Sequence, residues 1–167
     1  MAFYKKLATL FIASLANISI AQPPSAHLFP RGCEGKGFVF YRDFLVLNEH
    51  GNPMFYLIHN HTQQPIELEH FETKENAFMS PKLQAKLAPT HWSAFASDIA
   101  QTFFRCYISD NESQRTIVNC GDYLNVCHYP RVRFAKSNEG SYWASTDKSQ
   151  QQVIQDSSRD KGIYLRW

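Results

Sequence analysis

Short hydrophobic runs, broken at close intervals by turn-forming residues, dominate this chain from Phe38 onward. Phe38 to Asn48 (FVFYRDFLVLN) is dense in Phe, Val, Tyr and Leu and reads as a strand, with a bend at Arg42-Asp43. Glu49 to Asn52 is a turn, Pro53 ends the ladder, and Met54 to Asn60 is a second strand, so the two predict a hairpin. His61 to Pro65 turns again. Ile66 to Phe71 sets Ile, Leu and His against Glu with the period of a half-buried strand. Glu72 to Ala88 admits two readings: a helical turn capped by Ser80 with Pro81 in the first position, or a long loop at the sandwich edge.

Further strands are expected at Trp92–Phe95, Phe103–Ile108, Arg115–Asn119, Val126–Phe134, Tyr142–Ser145 and Ile163–Trp167. The polar run Ser109 to Ser113 makes a hairpin of the strands on either side of it. Pro130 demotes its strand to an edge or a bulge. Thr146 to Asp156 is polar and Gln-rich and suits a small helix. Eight or nine short strands, with turn signals at roughly 8–12-residue spacing, predict an all-β antiparallel sandwich with at most one or two short helical turns.

The N-terminus follows a different pattern. Lys5-Lys6 precede an apolar run from Leu7 to Ile20, and Ser19-Ile20-Ala21 places small residues where a signal peptidase reads them. This predicts a secretory signal over 1–21, cleaved after Ala21, then an irregular Pro/Gly/Ser-rich leader over 22–37 and one β-sandwich domain over 38–167. The apolar run is short for a membrane span, and none follows it, so no transmembrane segment is expected in the mature chain. The destination is periplasmic or extracellular.

Export changes how the cysteines read. Cys33, Cys106, Cys120 and Cys127 form an even set that an oxidising compartment turns into two disulfides. Three connectivities are open. Cys120–Cys127, closing the short loop CGDYLNVC, with Cys33–Cys106 is the expected one. No Cys-x-x-Cys pair suggests a metal site.

Composition narrows the function more than it names it. The 167 residues suffice for one ordinary domain, and 44% hydrophobic against 19% charged residues fits a globular one. A formal net charge of +2 with no basic cluster gives no case for nucleic acid. No Gly-x-Ser-x-Gly, Gly-rich phosphate loop or zincin motif is present, no cofactor is implied, and a non-enzymatic protein is expected. His59 and His61 share a strand face and, with His70 or His91, could hold a metal; structural roles are favoured because the spacing is generic. His91, Trp92, Tyr142 and Trp143 are candidates for a binding surface, with core packing the favoured alternative. Asn60-His61-Thr62 and Asn111-Glu112-Ser113 match the glycosylation sequon at expected turns, where turn chemistry alone accounts for them.

One resemblance adds to this reading. The order of motifs runs Tyr56-Leu57-Ile58-His59-Asn60, Ile66-Glu67-Leu68-Glu69-His70, Leu87-Ala88-Pro89-Thr90-His91-Trp92-Ser93-Ala94-Phe95 and Phe104-Arg105-Cys106. It continues through Val118-Asn119-Cys120, Asn125-Val126-Cys127, Gly140-Ser141-Tyr142-Trp143-Ala144 and Gly162-Ile163-Tyr164. This resembles the enhanced-entry protein B (EnhB) family, small exported proteins of intracellular bacterial pathogens, from about Met54 to the C-terminus. The chain departs from that pattern in lacking a Gly before Trp92 and in its extra histidines. The resemblance implies a link to host-cell entry and carries over no catalytic residue. The signal segment, the even cysteine count and the lack of catalytic motifs point to binding another protein or an envelope component. A second expectation, by analogy alone, is an inhibitor or accessory of cell-wall lytic enzymes, prompted by Phe104-x-Cys106 and Gly140-x-Tyr142-Trp143.

Overall fold

The computed structural model describes residues 28–35, 39–41, 44–48, 53–72, 81–110, 114–135 and 140–165. The expected signal segment with its cleavage site, the bend at Arg42-Asp43, the turn at 49–52, Ser80, the second sequon and Trp167 lie outside them.

Two antiparallel sheets face each other. The first has the order β1 (Glu34–Gly35), β10 (Leu124–Tyr129), β4 (Met54–Asn60), β7 (Trp92–Ser97) and β12 (Ser141–Lys148). The second runs β2 (Val39–Tyr41), β3 (Phe44–Asn48), β8 (Gln101–Asp110), β5 (Ile66–Phe71) and β6 (Leu83–Leu87), with β9 (Gln114–Val118) also on β8. β11 (Val132–Phe134) and β13 (Ile163–Leu165) form a separate pair, and α1 (Gln150–Lys161) packs on β12 and β7. The fold is an all-β sandwich, as the strand pattern predicts.

Strand alternation explains where the core lies. Tyr56 and Ile58 of β4, Phe95 of β7 and Val126 of β10 meet Leu45 and Leu47 of β3, Leu68 of β5 and Phe104 of β8 between the sheets. The intervening residues Phe55, Leu57, Trp92, Ala94, Ala96 and Tyr129 point the other way, against Val153 of α1 and Ile163 of β13. The first sheet is therefore covered on both faces, and its strands read as unbroken apolar runs such as MFYLI. The second sheet alternates, because much of its outer face is polar.

α1 begins at a capping box. Ser149 accepts from the Gln152 amide while the Gln152 side chain reaches back to the Ser149 amide. It ends at Gly162, whose φ of 63° is the left-handed conformation a glycine adopts freely. A Cβ there would stand 2.8 Å from the Ala135 Cβ, so packing demands glycine as well.

The structure corrects several local expectations. The described residues of the run from Phe38 to Asn48 form two strands, β2 and β3, paired antiparallel with Val39 opposite Val46. β3 and β4 do not form a hairpin: β3 pairs with β8, and the chain changes sheet before β4. Val126–Phe134 divides at Pro130, which has no N–H for a ladder; β10 stays in the first sheet and β11 joins β13. Two more strands appear. β1 lies within the expected irregular leader, and Leu83–Leu87 is the strand β6 in place of the expected helical turn or loop, residues 73–80 of that stretch lying outside the described residues. Leu83 and Leu87 fit a helical spacing of four and a strand spacing of two equally well; the open edge of β5 decides for the strand. Thirteen strands result among the described residues, and α1, with 12 residues, exceeds the one or two turns expected.

All four cysteines are oxidised, but not in the expected pairing. The bonds are Cys33–Cys127 and Cys106–Cys120. Cys120 belongs to the core between the sheets, whereas Cys127 points to the helix side of the first sheet, so the short loop between them cannot close. Pairing of Gly35 with Cys127 brings Cys33 alongside, and pairing of Val118 with Cys106 does the same for Cys120. Two disulfides fit folding in an oxidising, exported environment. Among the described residues no helix is long and apolar enough to cross a membrane.

Candidate binding face on the second sheet

The outer face of the second sheet is built from alternate residues of four strands. On β5, Ile66, Leu68 and His70 turn inward with no exposure, which leaves Glu67 and Glu69 facing out. Register places Lys86, Glu67, Tyr107 and Ile117 in one row across β6, β5, β8 and β9. Gln84, Glu69 and Arg105 form the next row.

Arg115 of β9 ties these rows together. Its guanidinium lies 4.0 Å from the centre of the Tyr107 ring. From there its Nε sits 3.0 Å from a Glu67 oxygen and its Nη2 2.9 Å from Glu69. A planar fork spanning two carboxylates while resting on an aromatic face is the geometry arginine supports and lysine does not. Gln84 Nε2 donates to the same Glu69 oxygen at 3.3 Å, and Ser109 Oγ to Glu67 at 3.3 Å. Glu69 is only 6% exposed, so its charge rests on these partners. Burial also raises the Tyr107 phenol above its usual range.

Glu67, Glu69, Gln84, Lys86 and Arg115 surround an open depression of about 260 Å³. Two carboxylates face two cations, so its formal charge is zero. Both carboxylates are engaged by Arg115, which leaves neither placed as a general base. What the depression offers is a rigid array of hydrogen-bond donors and acceptors, suited to recognition.

The candidates singled out in the sequence lie elsewhere and do not converge. Trp92 is 7% exposed and belongs to the cluster under α1, with Tyr142 packed against the same cluster. Trp143 points into the core between the sheets, 5.0 Å from Phe95. Trp92 and Trp143 thus sit on opposite faces of the first sheet, and the aromatics pack rather than forming one surface. His91 stands at the sandwich rim, where its Nδ1 lies 3.0 Å from Asp147 Oδ1. That oxygen also accepts the Ala88 amide, and the Asp147 amide donates to buried Ser93, so the group knits β6, β7 and β12 together.

The histidine trio does not assemble either. His59 stacks on Trp92 on the helix side, whereas His70 lies between the sheets beside Phe95 and Phe104. Among the described residues no three His, Cys, Asp or Glu side chains are grouped as metal ligands. Asn60 is fully buried and donates to three carbonyls, of Gln64, Leu87 and Ala88, so the first sequon is closed to a glycan. The alternation of IELEHF was the sequence signal for Glu67 and Glu69; nothing nearby pointed to Arg115.

No protein-family model matches the chain, and no curated protein and no solved structure matches it.

Proposed function

We propose that this is a non-enzymatic exported protein that binds another protein or an envelope component through the polar face of its second sheet. The depression ringed by Glu67, Glu69, Gln84, Lys86 and Arg115 carries the reading. Its two carboxylates are held in place by Arg115, and Gln84 is bonded to one of them, so a partner meets a largely preorganised surface and loses little to ordering it. The expected signal over 1–21 supports export, with which the two disulfides are consistent, and the resemblance to the EnhB family supports a link to host-cell entry.

The test is a photo-crosslinking residue placed at exposed Gln84 and, as a control, at exposed Arg159 on α1, in the full chain expressed with its export segment. A discrete adduct from position 84 that is absent from position 159, and is lost when Arg115→Ala is added, supports the reading. Identical patterns from both positions, or no adduct from position 84, reject it.

A further inference from the structure

We infer that His70 is a proton-gated latch: a proton on its ring unseats β5 and β6, and the polar depression with them, while the rest of the sandwich stays folded. His70 has no exposed surface, and neither ring nitrogen has a hydrogen-bond partner. Its ring lies 4.9 Å from that of Phe95 on β7 and 5.1 Å from that of Phe104 on β8. On β6 its register partner is Leu83. Two charged groups act on it, Glu72 at the end of β5 and Lys82 beside β6, and these pair with each other. The phenols of Tyr56 and Tyr123 share the same core. A charged imidazolium there would have two N–H donors and nothing to accept them, a cost that opening the strand edge relieves.

Burial is the main cause that pushes the His70 ring from 6.5 down to about 4. The closed form therefore refuses a proton that the opened form accepts, and opening becomes easier as pH falls from 6.5 towards 4. The fold says which part yields. One disulfide joins the segment before β1 to β10, and the other joins β8 to the turn after β9. Neither has a cysteine on β5 or β6, though Cys106 of β8 lies opposite Leu68 of β5. In the sheet ladder β6 pairs with β5 alone among the described strands, and Asn60 of β4 holds its Leu87 carbonyl. Glu67, Glu69, Gln84 and Lys86 all ride on these two strands. Only the consequence for binding rests on the proposed function; the latch does not.

Hydrogen exchange read by mass spectrometry, on the full chain with both disulfides intact and with rates normalised for intrinsic exchange, tests this without any ligand. Between pH 7.5 and pH 5 the amides of Ile66–Phe71 and Leu83–Leu87 should open ~30-fold more often, the ratio that pKa values of 6.5 and about 4 imply. Those of Trp92–Ser97 and Leu124–Tyr129 should stay protected, and His70→Leu should remove the response. Unchanged protection at β5 and β6, equal loss across both sheets, or an acid response that persists in His70→Leu would overturn it. Should that variant fail to fold, the wild-type ring decides by nitrogen NMR: a neutral His70 in the closed protein at pH 5 supports the latch, and a charged one sinks it. Because no ligand is involved, the result is independent of the crosslinking outcome.

Discussion

The imidazole of His59 lies flat against the indole of Trp92, with ring centres 4.3 Å apart and planes 14° from parallel. The two residues are direct cross-strand partners on β4 and β7. Phe29 closes on Trp92 edge-on at 6.5 Å, which draws the segment before β1 onto the sandwich. Trp92 is thus a packing residue. Trp92→Ala should cost about 3–5 kcal/mol, as removal of a large buried aromatic does. Tyr164→Ala, at a side chain 48% exposed, should stay within about 0.5 kcal/mol. Urea unfolding followed by circular dichroism measures both, and a small effect at Trp92 would return that residue to the surface.

Asn60 fastens the end of β4 to the strand opposite. Its amide donates to the carbonyls of Leu87 and Ala88 at 3.2 and 3.1 Å, and its oxygen accepts from Thr62. Asn60→Ala should destabilise by about 2–3 kcal/mol, because buried carbonyls lose their donor. Thr62→Ala should cost less, since Thr62 is only partly buried. Intact mass after expression in a glycosylating host should show no glycan at Asn60; an occupied Asn60 would contradict the geometry.

The two disulfides should differ in worth. Cys33–Cys127 spans 94 residues and Cys106–Cys120 spans 14. Loop-closure entropy assigns them about 4.7 and about 3 kcal/mol. Paired Cys→Ser variants, compared by denaturant midpoint, should rank in that order. Peptide mapping under non-reducing conditions should recover a 33–127 link and a 106–120 link; a 120–127 peptide would refute the pairing.

Tyr129 makes the fold sensitive to alkali. It is fully buried, and burial raises its phenol to about 12. An unfolded tyrosine ionises near 10, so the unfolded chain gives up a proton that the folded chain keeps. The contribution of Tyr129 is therefore fully present below pH 10 and is lost as pH rises towards 12, by about 2–3 kcal/mol. Tyr129→Phe should flatten this decline in denaturant midpoints measured across that range. An unchanged slope would mean that other groups cause it.

Much of the fold was legible along the chain because strand periodicity is local. IELEHF declared its inward and outward faces, and the hairpin of Phe103–Ile108 with Arg115–Asn119 showed in the turn residues between them. The errors share one cause. Whether Phe44–Asn48 pairs with β4 or β8, and whether Leu83–Leu87 is helix or strand, depends on which strand edge is open in space. Periodicity carries no such information.

The site divides in the same way. The sequence alone determined the class of protein: an all-β sandwich whose four cysteines oxidise, with two glutamates on one strand face. Tertiary structure alone decided that Trp92 and Trp143 lie on opposite sides of a sheet, that Cys33 meets Cys127, and that Arg115 reaches Glu67 and Glu69 from a strand more than forty residues away. The physical reason is that alternation sets which face a side chain takes, whereas strand order and register set which side chains meet across it.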